Sequence, residues 1–370
     1  MRYPEFLKEN GTIGFVAPSF GCATEPYISR FDSALDKLRS RGYKLELGPN
    51  CRESRGIGIS NTPEECGREL NSFYESASND VLMSCGGGEE MCEVVPFMDF
   101  ELVKKSKSKW FMGYSDNTNF IFPSVTIADT AGIYAPCVGD FGMEPWHKSV
   151  QDAYDLLTGK KLKFMSYDKW QLDDDENAAA NDPYYVTEPN VMKAFVCKDG
   201  AASEITSGSG AANGKDADAE AVKDMSACGR IEFEGRIVGG CLDCLVHLVG
   251  TPYDKVKEFN ARYKDDGIIW FLESCDLNVF DIRRSLWQLK AAGWFENLKG
   301  FLIGRPGCFG QEFMGLSQYN AVTDILAEFN VPILMDLDIG HHPPMIPVIV
   351  GSYAGVSFED NKFEIEYSLK

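Results

Sequence analysis

A two-domain α/β protein built on parallel sheets is the fold class this chain predicts, and three observations carry it. Short apolar runs alternate with helical repeats along most of the length, the βαβ pattern of a parallel sheet. A chain of 370 residues has material for two domains and ample core. A polar stretch after Thr158-Gly159-Lys160 offers the seam between them.

Ile13-Gly14-Phe15-Val16-Ala17 reads as the first strand. Ile28, Phe31, Leu35 and Leu38 then recur at helical spacing, and Tyr43-Lys44-Leu45-Glu46-Leu47 is the next strand. Thr62-Pro63-Glu64-Glu65 supplies an N-cap, a proline at the first helical position and a capping-box acid, opening a helix that runs to about Ser78. Val81-Leu82-Met83-Ser84 is a strand, and Trp110-Phe111-Met112 is an apolar strand that runs into a small-residue turn.

In the second half, 231–238, 267–273, 300–303, 332–335 and 347–350 read as strands, with a helix over about 281–292. The runs 354–358 and 362–367 suggest an antiparallel pair. The expected organisation is an N-terminal flavodoxin-like or Rossmann-like parallel-sheet domain over 1–160. A linker and polar insertion over 161–230 follow, then a mixed α/β domain with a strand-rich edge over 231–370.

The insertion divides into parts. The acids 173–176 and the run 177–181 read as solvated, whereas 184–186 and 191–196 could pair as strands. Residues 201–218 are mostly Ala, Ser, Gly, Asp and Asn with little to bury, the composition of a mobile surface insertion. Trp170, Tyr184 and Tyr185 stand before it and either pack the hinge or line a pocket; packing is the commoner use of such rings.

Charge excludes some partners. Lys and Arg total 36 against 56 Asp and Glu, a formal −20 that argues against binding nucleic acid or an anionic membrane surface. No apolar run approaches the roughly 20 residues that span a bilayer, and the opening Met1-Arg2-Tyr3-Pro4-Glu5-Phe6 lacks the apolar core of a signal peptide. Twelve scattered cysteines suit a reducing compartment, so a cytoplasmic protein is expected. Cys241, Cys244 and His247 could present three ligands along a helix, but no second ligand pair stands at zinc spacing and Leu242, Leu245 and Val246 read as core. No metal or cofactor is expected.

Chemistry centres on Gly113-Tyr114-Ser115-Asp116-Asn117-Thr118. A serine on a sharp strand-to-helix turn has its hydroxyl exposed at the sheet's carboxyl edge, beside backbone N–H groups able to face an oxyanion, although Ser also caps ordinary helices. Such a serine needs a base, and the chain has four histidines. His147 lies in a polar connection, and His247 follows Leu245-Val246 as a core histidine would. His341 and His342 stand in Gly340-His341-His342-Pro343-Pro344, directly after an apolar strand, where α/β folds place chemistry. Glu273 ends the apolar run from Gly267, either as the acid that orients the histidine or as a partner of Arg283 or Arg284.

These residues resemble the serine LD-carboxypeptidases, the muramoyltetrapeptide carboxypeptidases, whose family includes the microcin C self-immunity peptidases. The resemblance covers nearly the whole chain and rests on Gly14-Phe15-Val16-Ala17-Pro18-Ser19, Gly86-Gly87-Gly88, the turn at Ser115, Gly235-Arg236-Ile237-Val238-Gly239-Gly240, Leu272-Glu273 and Gly340-His341 with Pro344. It implies Ser115 as nucleophile, His341 as general base and later acid, Glu273 as the orienting acid and His342 as a bystander. It further implies an oxyanion hole from the backbone N–H of Asp116 and from Gly87 or Gly88. Its substrates would be a murein tetrapeptide that loses its terminal D-alanine, or the carboxamide joining a peptidyl or aminoacyl group to a nucleotide. A homodimer is expected on the same ground.

Two departures stand out. Cys241 occupies the place where Gly-Gly-Asn-Leu is usual, and the segment 173–228 is longer and more polar than in compact members. From another class, the same architecture could be a non-catalytic protein that closes on a ligand between its domains. An ordinary α/β-hydrolase esterase is weakened by Asn117, where Gly-x-Ser-x-Gly requires glycine.

Overall fold

Parallel strands with buried faces form the centre of both sheets, as near-continuous apolar runs require. The computed structural model describes residues 1–205 and 229–370. In the first sheet the strands lie side by side in the order Val348–Val350, Gly132–Tyr134, Phe111–Gly113, Val81–Ser84, Thr12–Val16 and Lys44–Leu47. The five from the N-terminal half are mutually parallel. Val348–Val350 returns from near the C-terminus and pairs antiparallel with Gly132–Tyr134.

The second sheet runs Ala201–Glu204, Lys193–Lys198, Ile333–Leu337, Leu298–Gly304, Ile268–Glu273, Ile231–Cys241, Tyr353–Glu359, Lys362–Ser368 and Lys163–Met165. Its four central strands are parallel and the flanks antiparallel, which is the mixed sheet with a strand-rich edge. The helix Tyr27–Ser40 buries Phe31, Ala34, Leu35 and Leu38, three of them on the predicted stripe. Thr62 caps Pro63–Glu75 by accepting the Glu65 N–H at 3.4 Å.

Within 161–230 the structure differs from the expected linker and insertion. Lys163–Met165 and Lys193–Lys198 are strands of the second sheet. Tyr184, Tyr185 and Val186 form no strand; the pairing in this region is Lys169–Trp170 with Glu188–Pro189. Ala201–Glu204, expected at the start of the mobile insertion, pairs with Lys193–Lys198, because alternate small side chains cost a hairpin edge little. The remainder of that insertion, from 206 through 228, lies outside the described residues.

One helix joins the sheets. Thr118–Thr126 begins a turn after Ser115, and each of its nine residues is buried, as an apolar helix must be when both faces are covered. Phe122 stacks on Trp294 at 5.3 Å and reaches Trp270, on the strand Ile268–Glu273, at 6.0 Å. At the helix start, Thr118 Oγ1 accepts the Cys241 N–H at 3.0 Å. Phe122→Ala is therefore expected to cost about 3–5 kcal/mol of stability, read as a lower urea midpoint at a similar slope.

Candidate active site

Ser115 sits where the strand Phe111–Gly113 ends and a short 3-10 turn, Ser115–Asn117, begins. Its φ of 62° lies in the left-handed region, which a side chain adopts only when its surroundings hold it there. Several contacts do so. The Ser115 N–H donates to the Tyr134 hydroxyl at 2.9 Å. Asn117 Nδ2 donates to Gly86 O and Tyr114 O, both at 2.9 Å. Asp116 is buried and accepts from Ser19 Oγ at 2.5 Å, from the Met91 N–H at 2.9 Å and from Asn119 Nδ2 at 2.9 Å. Burial pushes the Asp116 carboxyl up, against the pull of those donors.

The other two predicted residues meet it. Ser115 Oγ lies 2.8 Å from His341 Nε2, and His341 Nδ1 lies 2.8 Å from Glu273 Oε2. Glu273 closes the strand Ile268–Glu273 with 2% exposure, and His341 lies on the loop after Ile333–Leu337. Gly340 has φ +108°, and a Cβ there would stand 2.5 Å from Glu273 Oε2. Glycine is what lets the loop pass that close to the acid. Arg283 and Arg284 pair instead with Asp324 and Asp281, leaving Glu273 to the imidazole.

Burial opposes both charges, yet the two groups sustain each other. Glu273 is held below the ordinary carboxylate range despite its burial by the charge of His341 and by hydrogen bonds from His341 and Tyr134. Burial likewise works against an imidazolium at His341, and the Glu273 carboxylate, with the Cys275 thiol beside the ring, overcomes it and lifts the pKa well above the usual value.

Of the two candidate glycines, Gly87 faces the serine. A Cβ there would stand 2.8 Å from Ser115 Cβ, 2.9 Å from Ser115 Oγ and 3.8 Å from the Asp116 nitrogen. At Gly88 it would meet Ser19 Oγ and Gly58 O, so that residue serves the neighbouring turn.

A cavity of about 470 Å³ opens beside His341, walled by Tyr27, Arg30, Tyr114, Asp140 and Tyr184. Burial pushes the Asp140 carboxyl up to about 6, against the pull of Arg30. The acids at 174 and 175, read as solvated, also form part of this wall, as does Tyr185. Trp170 instead packs against Phe309 and His342. Cys241 is not among the lining residues. It lies buried beneath the site, its N–H on Thr118 and its thiol donating to Asp243 Oδ2 at 3.3 Å.

His247, expected as a core residue, is exposed, because the helix Leu242–Leu248 buries Leu242, Cys244, Leu245 and Leu248 and turns position 247 outward. His342 faces Gln171 O at 3.2 Å and Pro306 O at 3.1 Å, away from the serine, so a neutral ring ties one of these loops at a time. Sequence reasoning missed Tyr134, whose hydroxyl donates to Glu273 Oε1, although a tyrosine ending an apolar strand is a visible signal. It also missed Ser19, which anchors Asp116.

Fold and site together define a two-sheet α/β hydrolase with a serine at the facing sheet edges. Residues 13–135 match the LD-carboxypeptidase N-terminal domain and residues 234–356 the C-terminal domain of the same family. The chain belongs to the LD-carboxypeptidases, the S66 peptidases, and is a serine peptidase. It is 24% identical to the Bacillus subtilis protein named "probable murein peptide carboxypeptidase", over 98% of this chain and 94% of that one. It is 23% identical to the microcin C7 self-immunity protein MccF of Escherichia coli, over 97% and 94%. A solved structure of MccF with glutamyl sulfamoyl guanosine superimposes with a TM-score of 0.73 at 20% identity, covering 99% of this chain and 98% of that one.

Gly87→Ala is expected to drive the Ser115 side chain off the imidazole and lower turnover by about two orders of magnitude, read as amine release at an unchanged melting temperature.

Proposed function

We propose that the protein hydrolyses an amide through an acyl-enzyme on Ser115. His341 takes the Ser115 proton as the hydroxyl attacks the carbonyl, then delivers it to the departing amine. Water, deprotonated by the same imidazole, releases the acid. Glu273 holds the ring and stabilises its charged form. The N–H of Asp116 and the turn at Gly87 stabilise the tetrahedral oxyanion. The observation that carries this reading is the pair of 2.8 Å contacts from Ser115 through His341 to Glu273 beside an open cavity. A helix-capping serine in a mere binding protein has no use for that relay.

The substrate is a cytoplasmic murein tetrapeptide, whose terminal D-alanine leaves as the amine. Family membership across both domains supports this, as does the name of the Bacillus relative. The eleven cysteines among the described residues are free, and no described helix is long and apolar enough to cross a membrane. A second reading, cleavage of the carboxamide of an aminoacyl nucleotide, is favoured by the tyrosines around the cavity, which offer faces for a base to stack on. Arg30, which could meet a terminal carboxylate, donates to Ala180 O at 2.7 Å. A homodimer is part of the proposal and is checked by light scattering.

Offering the purified protein a murein tetrapeptide and an aminoacyl sulfamoyl nucleotide, with amine release followed in each, decides the substrate. Ser115→Ala should abolish turnover while folding normally; if turnover persists, the proposal fails. His341→Ala should cost about four orders of magnitude, and His342→Ala less than about tenfold. Because the neutral imidazole is the base and its pKa is raised, kcat/KM should climb with pH through an ionisation above about 6.5. Glu273→Gln removes the charge that raises it, so that midpoint should fall along with the rate.

A further inference from the structure

Glu273 offers two oxygens, and the relay from serine to histidine uses one. The other, Oε1, accepts a hydrogen bond from the Tyr134 hydroxyl. Tyr134 is fully buried at the carboxyl end of Gly132–Tyr134, next to the strand that carries Ser115. Its hydroxyl has a second partner, the Ser115 N–H, which it accepts at 2.9 Å. A phenol with one proton and available lone pairs can do both at once. The four contacts close a ring: Ser115 Oγ to His341, His341 to Glu273, Glu273 to Tyr134, and Tyr134 to the backbone of Ser115.

We propose that Tyr134 is a positioning residue of this peptidase, one hydroxyl that fixes the serine's backbone and sets how strongly Glu273 holds the histidine. The proposal rests on the reading of Ser115, His341 and Glu273 given above.

Two physical consequences follow. The Ser115 N–H is fixed at a left-handed φ, so its acceptor helps to keep the side chain aimed at the imidazole. Donation into Oε1 draws charge from the carboxylate, which weakens its support of an imidazolium and brings the base's pKa down toward working pH. Burial and the Glu273 charge push the Tyr134 phenol itself far above its usual pKa, so it remains a donor throughout the working range.

The titratable groups facing Glu273 are His341, Tyr134 and Cys241, with Tyr114, Cys244 and Cys275 also close enough to feel its charge. Those facing His341 are Glu273 and Cys275, with the Tyr114 ring at 5.1 Å and His342 next in the chain. Only Tyr134 touches both the serine's backbone and the acid among these.

Tyr134→Phe keeps the ring and removes the hydroxyl. The expected result is a kcat lower by about ten- to a hundredfold at a KM within about twofold, with the NMR titration of the His341 ring moved to higher pH. In a Glu273→Gln background the same change should cost less than in the parent, because the part of its effect that passes through the carboxylate is already gone while the Ser115 N–H still loses its acceptor. 3-Fluorotyrosine at position 134, a stronger donor of the same shape, should move the His341 titration the other way; this arm stands even if Tyr134→Phe folds poorly. An unmoved His341 titration in both variants, or losses that simply add in the double variant, would overturn the proposal. Ser115→Ala keeps the two questions apart. If it still turns over substrate, the reading of the triad is wrong; if it is dead while Tyr134→Phe matches the parent in rate and titration, only the role of Tyr134 is wrong.

Discussion

The covered helix Thr118–Thr126 is the constraint on which the rest of the site depends. Ser115 lies at its entrance, and the proposed base and acid lie on the other sheet. With no exposed face, the helix can adopt only the few packings that keep Phe122 against Trp294 and Trp270. Interiors this dense do not slide continuously. The contact that buries apolar surface between the sheets therefore also sets the distance between hydroxyl and imidazole. Val348–Val350, leaving one sheet to pair in the other, removes a further freedom of rotation.

Electrostatics then explains why the acid is tolerated. A carboxylate with 2% exposure would ordinarily take up a proton, since burial without partners is costly. Glu273 stays charged because it receives donors on both oxygens, from His341 on one and Tyr134 on the other. Satisfied on each side, it has one orientation. A half-satisfied carboxylate would swing, and the imidazole with it.

Much of this was legible in the chain. Ser115, Glu273 and His341 each close an apolar run, and only strand ends bring residues so distant in sequence to one crevice. Thr62, through the cap hydrogen bond it accepts, and Pro63, through its fixed φ, announced their helix locally. Tyr134 escaped because Gly-Ile-Tyr reads as core, and its hydroxyl matters only through partners 19 and 139 residues away in the chain. The pairing of Val348–Val350 with the first sheet was equally hidden, since an apolar run does not say which edge it will join. His247 misled because Leu245 and Val246 suggested a buried face, whereas the helix is short and its stripe passes through Cys244 and Leu248.

The segment between the sheets has a purpose that its polar composition conceals. Asp338, three residues before His341, is fully buried, and its carboxylate accepts from Arg305 at 2.7 Å, from the Tyr167 N–H at 2.8 Å and from Asn190 Nδ2 at 2.8 Å. Its carbonyl takes the Ile346 N–H at 2.7 Å, which closes the loop that holds His341. Tyr167 and Asn190 both belong to the stretch that reads as linker in sequence. A buried ion pair of this kind contributes little net stability, since desolvation offsets the attraction. Its effect is geometric: with every acceptor taken, the loop has one conformation, and the imidazole meets the serine hydroxyl without further rearrangement.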